Sequence, residues 1–258
     1  MIGRYQPIPP KGAHPYIFAH RGISARAPEN TLASFQRAFE INGINGVELD
    51  VRLSQDEEVI VLHDLRLERT STGNGIARKY KTSELKTFDA GSWFSTQYSG
   101  EKIPTLREVF QLLQGERWVN IEMKSEFLHR EPRGLLERRV VETVRACGYE
   151  DKVLYSSFYY PLLVRIKEIE PAANTGVLYN LYRDFYRLPS QLARSSESNV
   201  FVCAKHELRR RMLDDAHEHN IAVYVYTLND FNSAKQMIDI GVDGILSDDA
   251  EEIVKLEI

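Results

Sequence analysis

The 258-residue chain predicts an α/β fold, a TIM (β/α)8 barrel with a small subdomain inserted after the second barrel strand. Three observations predict it. The length is close to the roughly 250 residues typical of one such barrel. From Tyr16 onward, short apolar runs alternate with longer amphipathic stretches, the pattern of βαβ units around a parallel sheet. One long turn-rich segment, 64–102, interrupts that alternation early in the chain.

In order, the strand candidates are YIFAH, GVELDV, EEVIVLH, WVNIEMK, KVLYSSF, NTGVLY, NVFVCAK, AVYVYTL and DGILS. Helical patterns lie between most of them: TLASFQRAFEI, TLREVFQLLQ, LLERRVVETVRAC, YPLLVRIKEI, LRRRMLDDAHEH and FNSAKQMIDIG. Several strands are apolar on both faces, as parallel strands covered by helices should be. Nine strand candidates compete for eight barrel places. The stretch between GVELDV and EEVIVLH is too short for a parallel crossover, so these two form an antiparallel hairpin and the barrel count closes at eight.

Segment 64–102 contains STGNGIARKY and DAGSWFSTQYSG, with one helix-like piece around 82–88. A stretch this long inside a compact barrel is usually a functional excursion. Its Trp93, Phe94 and Tyr98 are more apolar than a disordered loop needs. No Pro-, Gly- or Ser-rich linker divides the chain, so 14–258 reads as one domain with 64–102 inserted in it.

Composition excludes several classes. With 33 basic and 37 acidic residues the formal charge is −4, which argues against a general nucleic-acid surface. The run Arg209-Arg210-Arg211 reads as a solvated helix face. Cys147 and Cys203 sit in apolar settings and read as small buried hydrophobes rather than a disulfide framework. The first residues, MIGRYQPIPPKGAHP, lack the apolar core of a signal peptide, and no run approaches the 18 or so apolar residues of a membrane span. A soluble, cytoplasmic protein without a stable membrane anchor is the expectation.

Four short words carry the chemistry: His20-Arg21-Gly22, Glu48-Leu49-Asp50, His63-Asp64 and Glu122-Met123-Lys124. Residues two apart on a strand share a face, so Glu48 projects with Asp50 and Glu122 with Lys124. Carboxylates inside apolar strands are costly to bury alone and are normally paired or bound to a cation. Taken singly, each strand could hold a buried ion pair. Two such strands with two strand-end histidines point instead to one shared site that holds a divalent metal, grips a phosphate and moves protons.

The ordered words HRG-x5-PENT, E-x-D, V-x-V-L-HD, R-T-S-T-G-x-G, D-A-G-S-W-F, I-P-T-L-x-E-V, N-I-E-M-K and G-V-D-G-I-L-S-D run from Tyr16 to Asp248. As an ordered set they resemble the glycerophosphodiester phosphodiesterase family along nearly the whole chain. The resemblance implies a TIM barrel with an inserted subdomain that cleaves small glycerophosphodiesters to glycerol 3-phosphate and an alcohol. It implies Glu48, Asp50 and Glu122 as metal ligands, His20 and His63 as the acid/base pair, and Arg21 and Lys124 at the phosphate. The family's usual Trp-Thr is Tyr226-Thr227 here, and its Thr-Asp is Ser247-Asp248; neither departure is expected to touch the metal or the histidines.

Three carboxylates without a cysteine or histidine ligand favour a hard cation, Mg²⁺ or Ca²⁺, over zinc. Arg21 can offer a planar fork to a phosphate, directly or while clamping Glu48 or Glu29. Histidine suits proton transfer near neutrality; the nucleophile is either water or the neighbouring glycerol hydroxyl. His14, His129, His206, His217 and His219 read as packing residues. Pro28 and Asn30 read as a turn and an N-cap, Glu29 as part of the same cap, Asp64 as an orienter of His63 or a turn cap, and Asp248 as the last helix's N-cap. Trp93, Phe94, Tyr98, Tyr226 and the segment YNLYRDFYRLP are expected as pocket walls, fit for a quaternary ammonium or simply for loop packing. Two rival functions are a lysophospholipase D-type enzyme acting on larger lipid substrates and a non-catalytic phosphate-binding barrel.

Overall fold

The computed structural model describes residues 14–124 and 134–255; His129, the proline-rich start and the last three residues lie outside them. Nine strands form one sheet: β1 (Tyr16–His20), β2 (Gly46–Leu53), β3 (Val59–Val61), β4 (Trp118–Met123), β5 (Val153–Ser157), β6 (Asn174–Leu178), β7 (Val200–Ala204), β8 (Ala222–Tyr226) and β9 (Gly244–Ser247). Eight of them pair in parallel in the order β1-β2-β4-β5-β6-β7-β8-β9, and β9 returns to β1, so the barrel closes. β3 pairs antiparallel to β2 and stands outside the eight, as the short connection requires.

Two apolar layers result from strands that are buried on both faces. Outward side chains such as Leu49, Ile121, Val177 and Val223 meet the helices. Inward ones, including Phe18, Trp118, Leu154 and Tyr224, fill the lower barrel. A Cβ on Gly244 would lie 2.4 Å from the Tyr224 ring, so only glycine lets that ring occupy the interior. Above this apolar plug the inward positions turn polar, which is where the site lies.

The main covering helices are α1 (Leu32–Glu40), α3 (Leu106–Leu113), α4 (Leu135–Ala146), α5 (Tyr160–Ile169), α7 (Pro189–Ser196), α8 (Arg210–Glu218) and α9 (Phe231–Ile240), with short α2 (Thr82–Leu85), α6 (Leu181–Asp184) and α10 (Ala250–Ile253). Helix α7 escapes the sequence pattern because it is short and serine-rich; Pro189 at its first turn starts it and Leu192 and Ala193 bury it. Helix α1 starts at Thr31, whose hydroxyl accepts from Ser34 N–H in a capping box. Asn30 is therefore not the cap, because its side chain is committed elsewhere.

Segment 64–102 wraps its own small core, Leu67, Ala77, Leu85 and Ala90 with Ile60, Leu62 and Ile103. The Tyr98 hydroxyl reaches Arg26 O at 2.8 Å, tying the segment to the connection after β1.

Candidate active site

Strand register assembles the site. In β1 and β2 His20 pairs with Glu48, and in β2 and β4 Asp50 pairs with Glu122, which in turn faces Ser156 of β5. The hairpin to β3 brings the chain back so that Leu62 N–H donates to Asp50 O at 2.9 Å, and His63 follows over the mouth. A cavity of about 280 Å³ opens there. Its charged wall is His20, Arg21, Glu48, His63, Glu122 and Lys124; Phe158, Leu178 and Tyr226 form the apolar wall.

Both imidazoles are held the same way. His20 Nδ1 lies 2.6 Å from Asp248 Oδ1, and His63 Nδ1 lies 2.6 Å from Asp64 Oδ1. A carboxylate on Nδ1 fixes the proton there and leaves Nε2 for chemistry. His20 Nε2 stands 3.7 Å from Glu48 Oε2. Burial pulls the His20 pKa down, but Glu48 and Asp248 outweigh it and carry it above the ordinary value. For His63, burial dominates, and with Lys124 and Arg21 it overcomes the pull of Asp50, so the pKa falls below the ordinary value.

One oxygen from each of Glu48, Asp50 and Glu122 lies within 4.8 Å of the others. Lys124 Nζ is 2.8 Å from Asp50 Oδ1 and also bonds Glu122. Arg21 Nε is 3.2 Å from Asp50 Oδ2, and its guanidinium bonds Glu29 at 2.9 Å. Burial and the Asp50 charge push Glu48 up to about 8. Burial also disfavours the Asp50 charge, but Lys124 and Arg21 hold its pKa well below the carboxylate range. Asp50 Oδ1 and Arg21 Nε are buried without a well-aligned hydrogen bond among the described residues. A trio of hard oxygens that is crowded, buried and incompletely bonded fits a hard divalent cation.

Several roles differ from those read in the sequence. Asp248 does not cap the last helix; Asp249 holds that position, while Asp248 binds His20, Ser24 Oγ at 3.1 Å and Asn229 Nδ2 at 2.7 Å. The Ser247-Asp248 departure thus adjoins a histidine after all. Asn30 donates to Asp50 Oδ2 at 2.8 Å. Glu29 does not cap but bridges Arg21 to Arg69, whose guanidinium bonds it at 2.7 and 2.8 Å. Arg69 also donates to Asp64 Oδ2 at 2.5 Å. Trp93 does not line the cavity: its indole N–H is spent on Ala90 O at 2.9 Å and its ring packs edge-on against Phe94. Tyr182, Phe185 and Tyr186 of YNLYRDFYRLP point into solvent instead of walling the pocket. Asn120 and Ser156, bonded to each other at 2.8 Å, line the cavity and were missed because neither carries a charge whose burial would demand a partner. Barrel closure, which sets the last strand beside the first, is the signal that could have found Asp248.

Two tethered imidazoles facing paired acids and cations at the C-terminal mouth of a TIM barrel define the class, a barrel hydrolase. The family model described as the glycerophosphoryl diester phosphodiesterase family matches residues 20–252, and the chain belongs to that family. A glycerophosphodiester phosphodiesterase of Caldanaerobacter subterraneus is 32% identical over 243 residues, 93% of this chain and 96% of the relative. A phosphodiesterase of Oleispira antarctica, solved with its product sn-glycerol-3-phosphate, superposes with a TM-score of 0.86 at 31% identity, covering 94% of this chain and 96% of that one. A glycerophosphodiester phosphodiesterase of Agrobacterium tumefaciens superposes at 0.82 with 27% identity, covering 94% of this chain and all (100%) of that one. Among the described residues no helix is long and apolar enough to cross a membrane.

Proposed function

We propose that the chain cleaves small glycerophosphodiesters to glycerol 3-phosphate and an alcohol, with Glu48, Asp50 and Glu122 as ligands of a divalent cation and His20 and His63 as the proton-transfer pair. The observation that carries this reading is the pair of carboxylate-held imidazoles lining the same cavity as the acidic trio's Glu48 and Glu122. Bound there, Mg²⁺ or Ca²⁺ supplies charge neutralisation and polarisation of a phosphoryl oxygen. Arg21 and Lys124 are the donors for the remaining phosphate oxygens, held in place by Glu29 and Asp50.

One imidazole removes the proton of the nucleophile, either water or the neighbouring glycerol hydroxyl, which would close a cyclic phosphate that water then opens, and the other protonates the departing alkoxide oxygen. Asp248 and Asp64 keep each ring in the tautomer with Nε2 toward substrate and stabilise the imidazolium when it forms. Tyr226 and Phe158 supply the apolar wall against the glycerol or the alcohol. Residues 64–102 serve as a subdomain inserted in the 14–258 domain, acting on the site through Arg69 rather than through Trp93.

The test is product identity and metal dependence with choline, ethanolamine, inositol and glycerol diesters. Glycerol 3-phosphate should appear only with the divalent ion restored after exhaustive chelation. Full activity in the chelated protein, or release of a phosphoalcohol instead, would overturn the reading.

A further inference from the structure

Among the described residues six large apolar side chains stand out in solvent, and four of them, Tyr182, Phe185, Tyr186 and Phe231, follow β6 and β8 at the barrel mouth. Tyr182 is 97% exposed and Tyr186 77%, far beyond what scattered surface residues need. β6 and β8 flank β7, so the three connections are neighbours. They are also bonded together: Leu181 N–H donates to Glu207 at 3.1 Å, and Lys205 Nζ reaches Ser233 Oγ at 2.6 Å.

The connection between the aromatic ones is basic. Lys205, Arg209, Arg210 and Arg211 are all exposed. Arg210 pairs with Asp214, but no ion pair forms on Lys205, Arg209 or Arg211 among the described residues. Nearby acids are occupied: Asp184 is buried under Arg183, Glu207 accepts from backbone amides, and Asp230 caps α9. In a chain of net charge −4, Lys205, Arg209 and Arg211 thus form a sector of cations without ion pairs among the described residues, flanked by protruding aromatics, with Glu207 and Asp230 keeping their charges beside it. That sector adjoins the cavity, because Leu178, Tyr226 and Thr227 line it just before these connections begin.

We propose that this sector docks the barrel mouth onto an anionic lipid surface, with Phe185, Tyr186 and Tyr182 seated among the headgroups and Arg209 and Arg211 against their phosphates. Tyr182, Phe185 and Tyr186, protruding together from the connection after β6, suit a soft interface that closes around each ring, whereas a rigid protein partner would need a matched recess for every one. Basic residues beside them are drawn by the negative surface potential of acidic lipids. A polyanion such as nucleic acid would use the arginines and leave the aromatic side chains without a role. Docking places the cavity at the lipid–water boundary, whichever diester it cleaves.

The test is co-sedimentation of the full chain with phosphatidylcholine vesicles and with phosphatidylcholine vesicles containing phosphatidylglycerol. It reads binding without turnover, so its failure is distinguishable from failure of the diesterase reading. The chain should pellet with the anionic vesicles at low salt and be released as salt rises. The pairs Arg209→Gln/Arg211→Gln and Phe185→Ser/Tyr186→Ser should each weaken binding on the order of tenfold. All four side chains are exposed, so thermal unfolding should match the parent and exclude a folding defect. Absence of pelleting with either vesicle overturns the proposal. So do equal binding to vesicles and duplex DNA with the aromatic pair inert, and a concentration-dependent dimer that buries the sector.

Discussion

His20 Nδ1 and Asp248 Oδ1 stand 2.6 Å apart although 228 residues separate them along the chain. The contact exists because the barrel closes, setting the end of β9 beside the end of β1. Asp248→Asn keeps the side chain's size but offers an amide that can hold the ring in the wrong tautomer. Turnover on an alkyl glycerophosphodiester should fall about 10²-fold, within the worth of a positioned proton-transfer group, with KM little changed. Steady-state kinetics check it, and parental kcat would refute the role.

Arg69 reaches the site from the inserted segment, bonding Asp64 and Glu29 together. Arg69→Ala should lower kcat and shift the His63 limb of the pH–rate profile upward. The sign follows from charge: without the guanidinium, the Asp64 carboxylate is less compensated and favours the imidazolium more. Arg69→Lys restores the charge without the fork and should recover part of the profile. A loss of activity with an unmoved profile would mean a purely structural role.

Replacing His20 or His63 by Ala should each cost on the order of 10²–10⁴-fold in turnover. Divalent-ion binding should survive, since neither imidazole is a proposed ligand. A nitrophenyl leaving group needs little protonation, so it should rescue only the variant lacking the acid. Near-normal turnover of both variants on an alkyl diester would exclude the two-histidine scheme.

Glu48, pushed up to about 8 by burial and Asp50, must lose its proton before it can serve as a ligand. Ion affinity of the substrate-free protein should therefore weaken as the pH falls through that value, and binding below it should release protons. Calorimetry in buffers of different ionisation enthalpy measures the release. Glu48→Gln should remove both the affinity and the proton while the protein still unfolds cooperatively.

Asp56 links the β2–β3 turn to α2, accepting from Ser54 Oγ at 2.6 Å and from Thr82 N and Oγ1 at 2.9 Å. The Ser54 bond, the largest influence, holds its pKa down to about 2 against the opposing effect of burial, helped by the two Thr82 bonds. A depressed carboxylate adds stability above its unfolded pKa and loses it as pH falls toward the folded one. Asp56→Asn should lower the melting temperature at neutral pH and flatten its decline between about pH 4 and 2. An acid limb identical to the parent's would show that the turn does not report on folding.

Much of this was legible because it is periodic. Alternation of apolar runs determined the strands, and the short link after GVELDV determined the antiparallel β3, since a two-strand turn fits there and a crossover does not. Spacing by two put Glu48 with Asp50 and Glu122 with Lys124 on the inner face, where the closed barrel holds them. Those are local rules of backbone geometry, and they act before any tertiary contact forms.

The residues that serve the site from outside those words depended on closure. Asp248 looked like a cap, and Asn30 and Glu29 like parts of one, because Asp, Asn and Glu beside a helix start have a local explanation that no neighbour in sequence contradicts. Their side chains go instead to His20, Asp50 and Arg21, partners whose burial makes an unpaired charge more costly than an uncapped amide. Trp93 and the tyrosines after β6 had the opposite fate: aromatic composition suggested a wall, and the packing of their own loops turned them outward. The sequence by itself determined the barrel, through its alternation of strands and helices, and the shared inward face of Glu48 with Asp50 and of Glu122 with Lys124, through spacing along one strand; its ordered motifs carried the resemblance to the family. Only the tertiary structure decided which carboxylate holds which imidazole and which aromatics face water, because those choices lie between elements far apart in the chain.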